Sequence, residues 1–476
     1  MSDHIDRIKK IDQIVNDEAS PTFCLAKWHH TTIYMHRGQT HSCYHPKPHD
    51  IPLEELKYTP SVLHNTPTKI DERVEMLNGD KPEGCQYCWN VESMGDDYVS
   101  DRKIRNSSIY TEERFDEILD NPPDYKINPE YIEIAFSNEC NFKCGYCHPM
   151  HSSMFYNEIK KHGKYETVKN HDCDIEWFTN YDDEETNPYV AAWWRWWPEV
   201  SKTLNILRIT GGEPILHKTT WRLFEELKRD PKPHLEININ TNLGYASRRV
   251  QKLADTVKEL QDNNCIRQFK MFTSIDTWGK RAEYLRTGLD LNIWEKNQDI
   301  YVRGVKSHIT HMVTFNILSV ASFKGYLEKV LEWRAKYDDI IPNGLGSDDT
   351  VRKIRFDTPY LKEPIQYDMH ILPKEEFLPY FDECLQFIKD NIVEDDTKMF
   401  SELEYERFRR VRDYFANTQY DSRKIEQGRI DFYNWFTEYD KRRDVNFLET
   451  YPEYTDFWNL CKETAENQIA ITEVGG

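Results

Sequence analysis

The sequence predicts an α/β protein: a partial (β/α)6, TIM-like barrel over 128–373, a cysteine-rich module over 1–100 before it, and a helical region over 374–476 after it. Three observations carry this. From about Tyr131 short apolar runs alternate with longer amphipathic stretches. The first hundred residues carry Cys, His, Pro and turn residues but little sustained periodicity. Beyond Pro373 the pattern turns helical, charged and aromatic through Asn459.

The apolar runs are Tyr131–Phe136, Leu204–Ile209, Leu235–Asn240, Phe269–Ile275, Ile309–Leu318 and Lys353–Phe356. Between two of them Val250, Leu253, Val257 and Leu260 recur at helical spacing, and Tyr326, Val330 and Trp333 do so between two others. Strands separated by helices imply parallel βαβ units. Six such strands fall short of the eight of a full barrel, so an open or partial one is expected, with chemistry at the carboxyl ends of its strands. The segment Met150–Lys202 is too long for a simple βα connection. Its run Trp193-Trp194-Arg195-Trp196-Trp197-Pro198 reads as a packed helix in preference to a stacking wall. Asp440-Lys441-Arg442-Arg443 reads as a salt-bridged helix end in preference to an anion site.

A chain of 476 residues with 38% hydrophobic and 13% aromatic residues has ample material for a buried core. No run approaches the ~18 apolar residues of a membrane span. Met1–Ser20 is highly charged, which excludes an ordinary secretory signal peptide and leads to a cytoplasmic expectation. A net charge of −20 repels phosphate backbones, so general nucleic-acid binding is not expected. Of eleven cysteines, seven fall in two groups, Cys24/Cys43/Cys85/Cys88 and Cys140/Cys144/Cys147. Such clustering favours metal sites over disulfides. Cys173, Cys265, Cys384 and Cys461 stand alone and read as buried free thiols.

Cys140-Asn141-Phe142-Lys143-Cys144-Gly145-Tyr146-Cys147 sets three thiols in a C-x3-C-x2-C array directly after the first apolar run. Three thiolates would leave one corner of a cubane iron–sulfur cluster open, able to bind a substrate or cofactor. A zinc knuckle with His148 as fourth ligand is the alternative. The second run leads into Thr210-Gly211-Gly212-Glu213-Pro214, where two glycines permit close backbone approach and Glu213 adds an acceptor. The fourth ends in Ser274-Ile275-Asp276, with Tyr284-Leu285-Arg286-Thr287-Gly288 following. Ser274 and Asp276 alternate along a strand and could face one polar ligand, or merely cap the strand end.

The cysteine loop with its aromatic Tyr146, the Gly-Gly-Glu-Pro sequence and the Ser-Ile-Asp strand end followed by Arg-x-Gly resemble the radical S-adenosylmethionine (SAM) enzymes, in that family's order, over about Tyr131–Pro373. The resemblance implies that Cys140, Cys144 and Cys147 hold a [4Fe-4S] cluster whose open iron SAM chelates. It implies that Tyr146 contacts the adenine region and that Gly211, Gly212 and Glu213 receive the methionine amino group. Ser274 and Asp276 match the ribose region, Arg286 reaches towards the carboxylate, and Asn316 is a weaker match. Reductive cleavage of SAM to a 5′-deoxyadenosyl radical would follow, with an electron donor such as flavodoxin or ferredoxin.

Cys24, Cys43, Cys85 and Cys88, with Gly38 ahead of Cys43 and Gly84 ahead of Cys85, resemble the framework of SPASM and twitch domains, which bind auxiliary iron–sulfur clusters. Those domains usually follow the barrel, whereas here the module precedes it, and Met94 stands where the longer pattern has Cys. The shorter twitch-like form, with one auxiliary [4Fe-4S] cluster, therefore fits better, with structural zinc as the alternative. The whole arrangement resembles radical SAM proteins of tailed bacteriophages, on Cys43-Tyr44-His45-Pro46, Gly84–Trp89 and Asp440–Arg443. The expected substrate is a peptide or protein. A nucleotide or other small molecule is the alternative among enzymes, and a non-catalytic metal-stapled binding protein the alternative outside them.

Overall fold

The computed structural model describes residues 2–95, 98–122, 124–168, 175, 181, 183–305, 307–340, 352–393 and 396–474. Its strands are β1 His30–Tyr34, β2 Gln39–His41, β3 His49–Asp50, β4 Tyr131–Ala135, β5 Ile206–Thr210, β6 Lys232–Thr241, β7 Ile266–Ser274, β8 Ile309–Met312 and β9 Ile354–Asp357. They form one sheet in the order β3-β2-β1-β4-β5-β6-β7-β8-β9. Each of the six apolar runs contributes one of the strands β4–β9. Pairing is parallel for β1/β4, β4/β5, β7/β8 and β8/β9, and antiparallel only in the β1/β2 and β2/β3 pairs among those with a described register.

Two differences from the sequence reading have physical causes. The run Ile309–Leu318 is strand only as far as Met312, although Ile317 and Leu318 are fully buried. Beyond the strand, Asn316 folds the chain into a turn by accepting from Leu318 N (3.0 Å) and donating to Thr314 O (2.8 Å). An apolar run reports burial, and burial does not require an extended backbone. The first hundred residues also add three strands to the sheet. β1 is hard to see because its buried positions include Thr31 and Thr32, β-branched but polar. The Thr31 hydroxyl meets that of Thr40 on β2 (3.1 Å), and the buried Lys69 Nζ donates to both (2.6 and 2.9 Å).

The chain divides into two compact units: Met1–Ser137 with Thr179–Asn238 and Asn264–Phe269, and Asn138–Phe178 with Ile239–Asn263 and Lys270–Gly476. In the first, Ile11, Val15, Phe23, Trp28, Met76, Trp89 and Phe115 form a core around Cys24 and Cys85. The tryptophan run lies in the helix Pro188–Val200, with Trp193, Trp196 and Trp197 buried and the Trp196 indole donating to Asn128 Oδ1 (3.1 Å). It packs, as expected. In the second, Val250, Leu253, Val257 and Leu260 line the buried face of the helix Ser247–Asp262. The region after Pro373 holds the helices Lys374–Asp390, Glu402–Asn417, Ser422–Arg443 and Thr455–Val474. Among the described residues no helix is long and apolar enough to cross a membrane.

Candidate functional site

The cysteine loop follows β4 and is built mostly by hydrogen bonds to its own backbone. At its base Ser153 N donates to Asn138 O (2.9 Å) and Cys140 N to Ser153 Oγ (3.1 Å). The Ser152 hydroxyl donates to Phe142 O (2.6 Å) and accepts from Phe155 N, capping the helix Ser153–His162. In its middle Lys143 N donates to Thr287 O (3.0 Å) and Gly145 N to Leu285 O (2.9 Å). The Arg286-Thr287-Gly288 segment is thereby laid along the loop. Gly288, at φ +113°, has to be glycine: a Cβ there would fall 2.8 Å from the Phe142 ring and 2.9 Å from Asn141 O.

The thiols have polar neighbours. Arg286 Nη1 lies 3.7 Å from Cys144 Sγ and Asn242 Nδ2 3.9 Å from Cys140 Sγ. Burial raises the Cys144 thiol despite the Arg286 charge, and with the neighbouring Cys144 it pushes Cys147 up to about 12. Such thiols stay protonated near neutral pH unless a bound metal displaces the protons. His148 accepts from Met150 N through Nδ1 (3.1 Å), capping the turn Pro149–His151.

Around Cys144 the sequence-predicted residues Tyr146, Asp276 and Arg286 meet. Arg286 donates to Asp276 through Nε (2.8 Å) and Nη2 (2.9 Å), a two-pronged pair. The Tyr146 hydroxyl reaches both carboxylate oxygens (3.1 and 2.9 Å) and accepts from Arg286 Nη2, and Thr314 N donates to Asp276 Oδ1 (2.9 Å). Asp276 is fully buried and Arg286 nearly so. Burial opposes the Arg286 charge, but Asp276 more than offsets it and holds the guanidinium protonated. Ser274 ends β7, two residues before Asp276, and is half-buried. Asn316 is not drawn into this group, since its amide closes its own turn.

Gly211, Gly212 and Glu213 lie in the first unit, immediately after β5. Gly211 has φ +115°, and a Cβ there would come within 2.5 Å of Ser137 O. Gly212 N donates to that same carbonyl (3.2 Å). Glu213 is fully buried and accepts from Ile215 N (3.3 Å).

Cys24, Cys43, Cys85 and Cys88 line a single cavity, together with Lys27, Arg102 and Arg105. Cys85 opens the helix Gln86–Glu92, which carries Cys88. Arg102 is anchored by two bonds to Glu92 (3.0 Å each), and Lys27 pairs with Glu72. Burial raises Cys24, pushes Cys85 up to about 12 and Cys88 to about 11. Among the described residues, no three His, Cys, Asp or Glu side chains are gathered closely enough to hold one metal ion. Cys265, Cys384 and Cys461 are buried and in no disulfide among the described residues; Cys173 lies outside the described residues.

The sequence reading did not single out Asn242, Thr287, Thr314 or Arg443 for the site. Asn242 follows the end of β6, so strand-end position was a usable signal for it, and Thr287 sits inside the Arg-x-Gly segment, so that motif was the signal for it. Arg443 reaches the loop across 300 residues of sequence, and nothing local marks it.

No family model matches the chain. Over 126 residues it is 27% identical to GTP 3′,8-cyclase of Nautilia profundicola, a match covering 26% of this chain and 31% of that protein. The chain thus spans about a third of the length of the curated relative it matches. That relative is a radical SAM enzyme, and the similarity supports the radical SAM superfamily for this chain.

Proposed function

We propose that this chain is a radical SAM enzyme in which Cys140, Cys144 and Cys147 hold a [4Fe-4S] cluster. The observation that carries the reading is one loop bearing three thiols, pinned backbone-to-backbone along the segment that supplies Arg286. The donor set fits: thiolates are the soft ligands such clusters take, and N–H donors lie near two of the sulfurs. When bound, the cluster supplies the electron that splits SAM into methionine and a 5′-deoxyadenosyl radical. The chain's own residues bind, orient and exclude water. Asp276, its oxygens already occupied, holds Arg286 charged and Tyr146 in place, and Ser274 is the residue of that strand end left for a ribose hydroxyl. Gly211, Gly212 and Glu213 are proposed for the methionine amino group on the resemblance of the sequence alone; in the first unit the absent Cβ of Gly211 makes room for Ser137 O.

The strands β4–β9 are the six of the partial barrel we propose for the catalytic part. We assign Cys24, Cys43, Cys85 and Cys88, in a twitch-like module, to an auxiliary [4Fe-4S] cluster. Four thiols lining one cavity supply the soft ligand set such a cluster takes, and structural zinc is the alternative for the same four residues. A peptide or protein remains the leading substrate class. A nucleotide is the second reading, favoured by the likeness to GTP 3′,8-cyclase.

The test is anaerobic reconstitution with iron and sulfide, then reduction in the presence of SAM. 5′-Deoxyadenosine should form in the wild type and not in a Cys140/Cys144/Cys147→Ala variant. Equal yields from both would remove the assignment, and none from a fully loaded wild type would leave a metal-stapled binding protein.

A further inference from the structure

The cluster Asp440-Lys441-Arg442-Arg443 is not a uniform basic helix end. Lys441 and Arg442 pair with Glu438 of their own helix. Arg443 turns inward and its side chain is fully buried. Nη1 donates to Lys143 O (2.5 Å), the carbonyl immediately before Cys144, and to Thr287 Oγ1 (3.0 Å). Nη2 donates to Glu158 Oε1 (3.0 Å), and the guanidinium lies 3.9 Å from the Tyr439 ring centroid. Nε is buried and has no hydrogen-bond partner among the described residues. One cation therefore ties the cysteine loop, the Arg-x-Gly segment and the helix after the loop to the C-terminal helix Ser422–Arg443.

The charge does not balance. Glu158 accepts from both Arg443 and Lys143 (2.5 Å), so two cations share one carboxylate. Arg286, by contrast, is matched by Asp276. Lys143 is partly exposed, so Arg443 is the fully buried cation of the two, and a buried cation with a shared counter-ion favours a further anion nearby. The carbonyl that Arg443 holds belongs to the residue directly before Cys144, whose thiol becomes an anion on ionisation.

We propose that Arg443 is a positioning residue for the cysteine loop and supplies a fixed positive charge that stabilises an anionic, thiolate-ligated cluster there. The inference rests on the radical SAM reading and adds to it a C-terminal helix that sets how firmly the cluster is held and how readily it is reduced. Charge and hydrogen bonding around the sulfurs are what tune such a potential.

Wild type, Arg443→Gln and Arg443→Lys would be reconstituted anaerobically and compared in two readouts: midpoint potential by electron paramagnetic resonance titration, and iron release to a chelator. The Cys85/Cys88→Ala background would keep the N-terminal site out of the signal. Arg443→Gln should shift the potential negative and release iron about tenfold or more faster, the scale of lost outer-shell support at metal sites. Arg443→Lys should hold the potential near wild type while still releasing iron faster, because it keeps the charge and loses the fork. A loaded wild type with Arg443→Gln unchanged in both readouts overturns the inference alone. If Arg443→Gln does not fold, wild-type iron retention in Arg443→Lys overturns it. A wild type that takes up no cubane cluster removes the radical SAM reading and the inference together.

Discussion

Asp276 illustrates how one buried carboxylate can gather several side chains and a strand end around itself. Four donors converge on its two oxygens, among them both prongs of Arg286. Replacing it with Asn would leave the Arg286 guanidinium buried and unmatched. Breaking a buried pair on one side costs about 3–5 kcal/mol. We therefore expect Asp276→Asn to lower unfolding stability in urea by that amount and to weaken SAM binding. A loss well under about 1 kcal/mol would mean water reaches the pair.

The cysteines carry their own pH signature. In the unloaded chain Cys85 and Cys147 sit near 12 against an ordinary 9.0, because burial disfavours the thiolate. A value raised on folding gives stability that is complete below the unfolded value and disappears as pH climbs through the folded one. The metal-free protein should thus lose melting temperature as pH rises from about 9 towards 12, and Cys85→Ala should lose less. Identical pH slopes for wild type and Cys85→Ala would contradict the buried-thiol account.

At the scale of elements, the cysteine loop is shaped by what packs on its glycine. A Cβ at Gly145 would fall 2.1 Å from the Tyr367 hydroxyl and 3.1 Å from Tyr439. Gly145→Ala should therefore cost about 1–3 kcal/mol by overpacking and loosen the cluster. Tyr367→Phe removes the nearest atom, so in thermal or urea unfolding the double variant should be less destabilised than the two single changes summed. Gly211→Ala offers no such relief. Its conflict is with a backbone carbonyl, Ser137 O, at a positive φ, and no second-site side-chain change should rescue it. Rescue of Gly211→Ala by trimming the neighbouring His217 would show that the side chain, not the backbone, sets the limit.

For the whole molecule the metal count is decisive. With clusters at both cysteine sets the reconstituted protein should carry about eight irons, and with zinc at the N-terminal set about four irons and one zinc. Elemental analysis separates the two. Cys85/Cys88→Ala should remove one full complement, about four irons, and leave SAM cleavage intact. Near-stoichiometric zinc in the wild type, unmoved by iron reconstitution, would return the module to a structural staple.

What the sequence determined by itself is what neighbours along the chain can settle. Three thiols within eight residues, six apolar runs and glycines at strand ends were all readable, because loop reach and strand alternation are set by covalent geometry over a few residues. The polar strand β1 escaped that reading, since its burial depends on Thr40 and Lys69 being folded against it. Only the tertiary structure decided that Asp276 pairs with Arg286 and Tyr146, and that Arg443 reaches Lys143 across 300 residues. Such contacts carry no periodicity and no local spacing. They exist because burying a guanidinium or a carboxylate demands partners, and the fold determines which partners lie within reach.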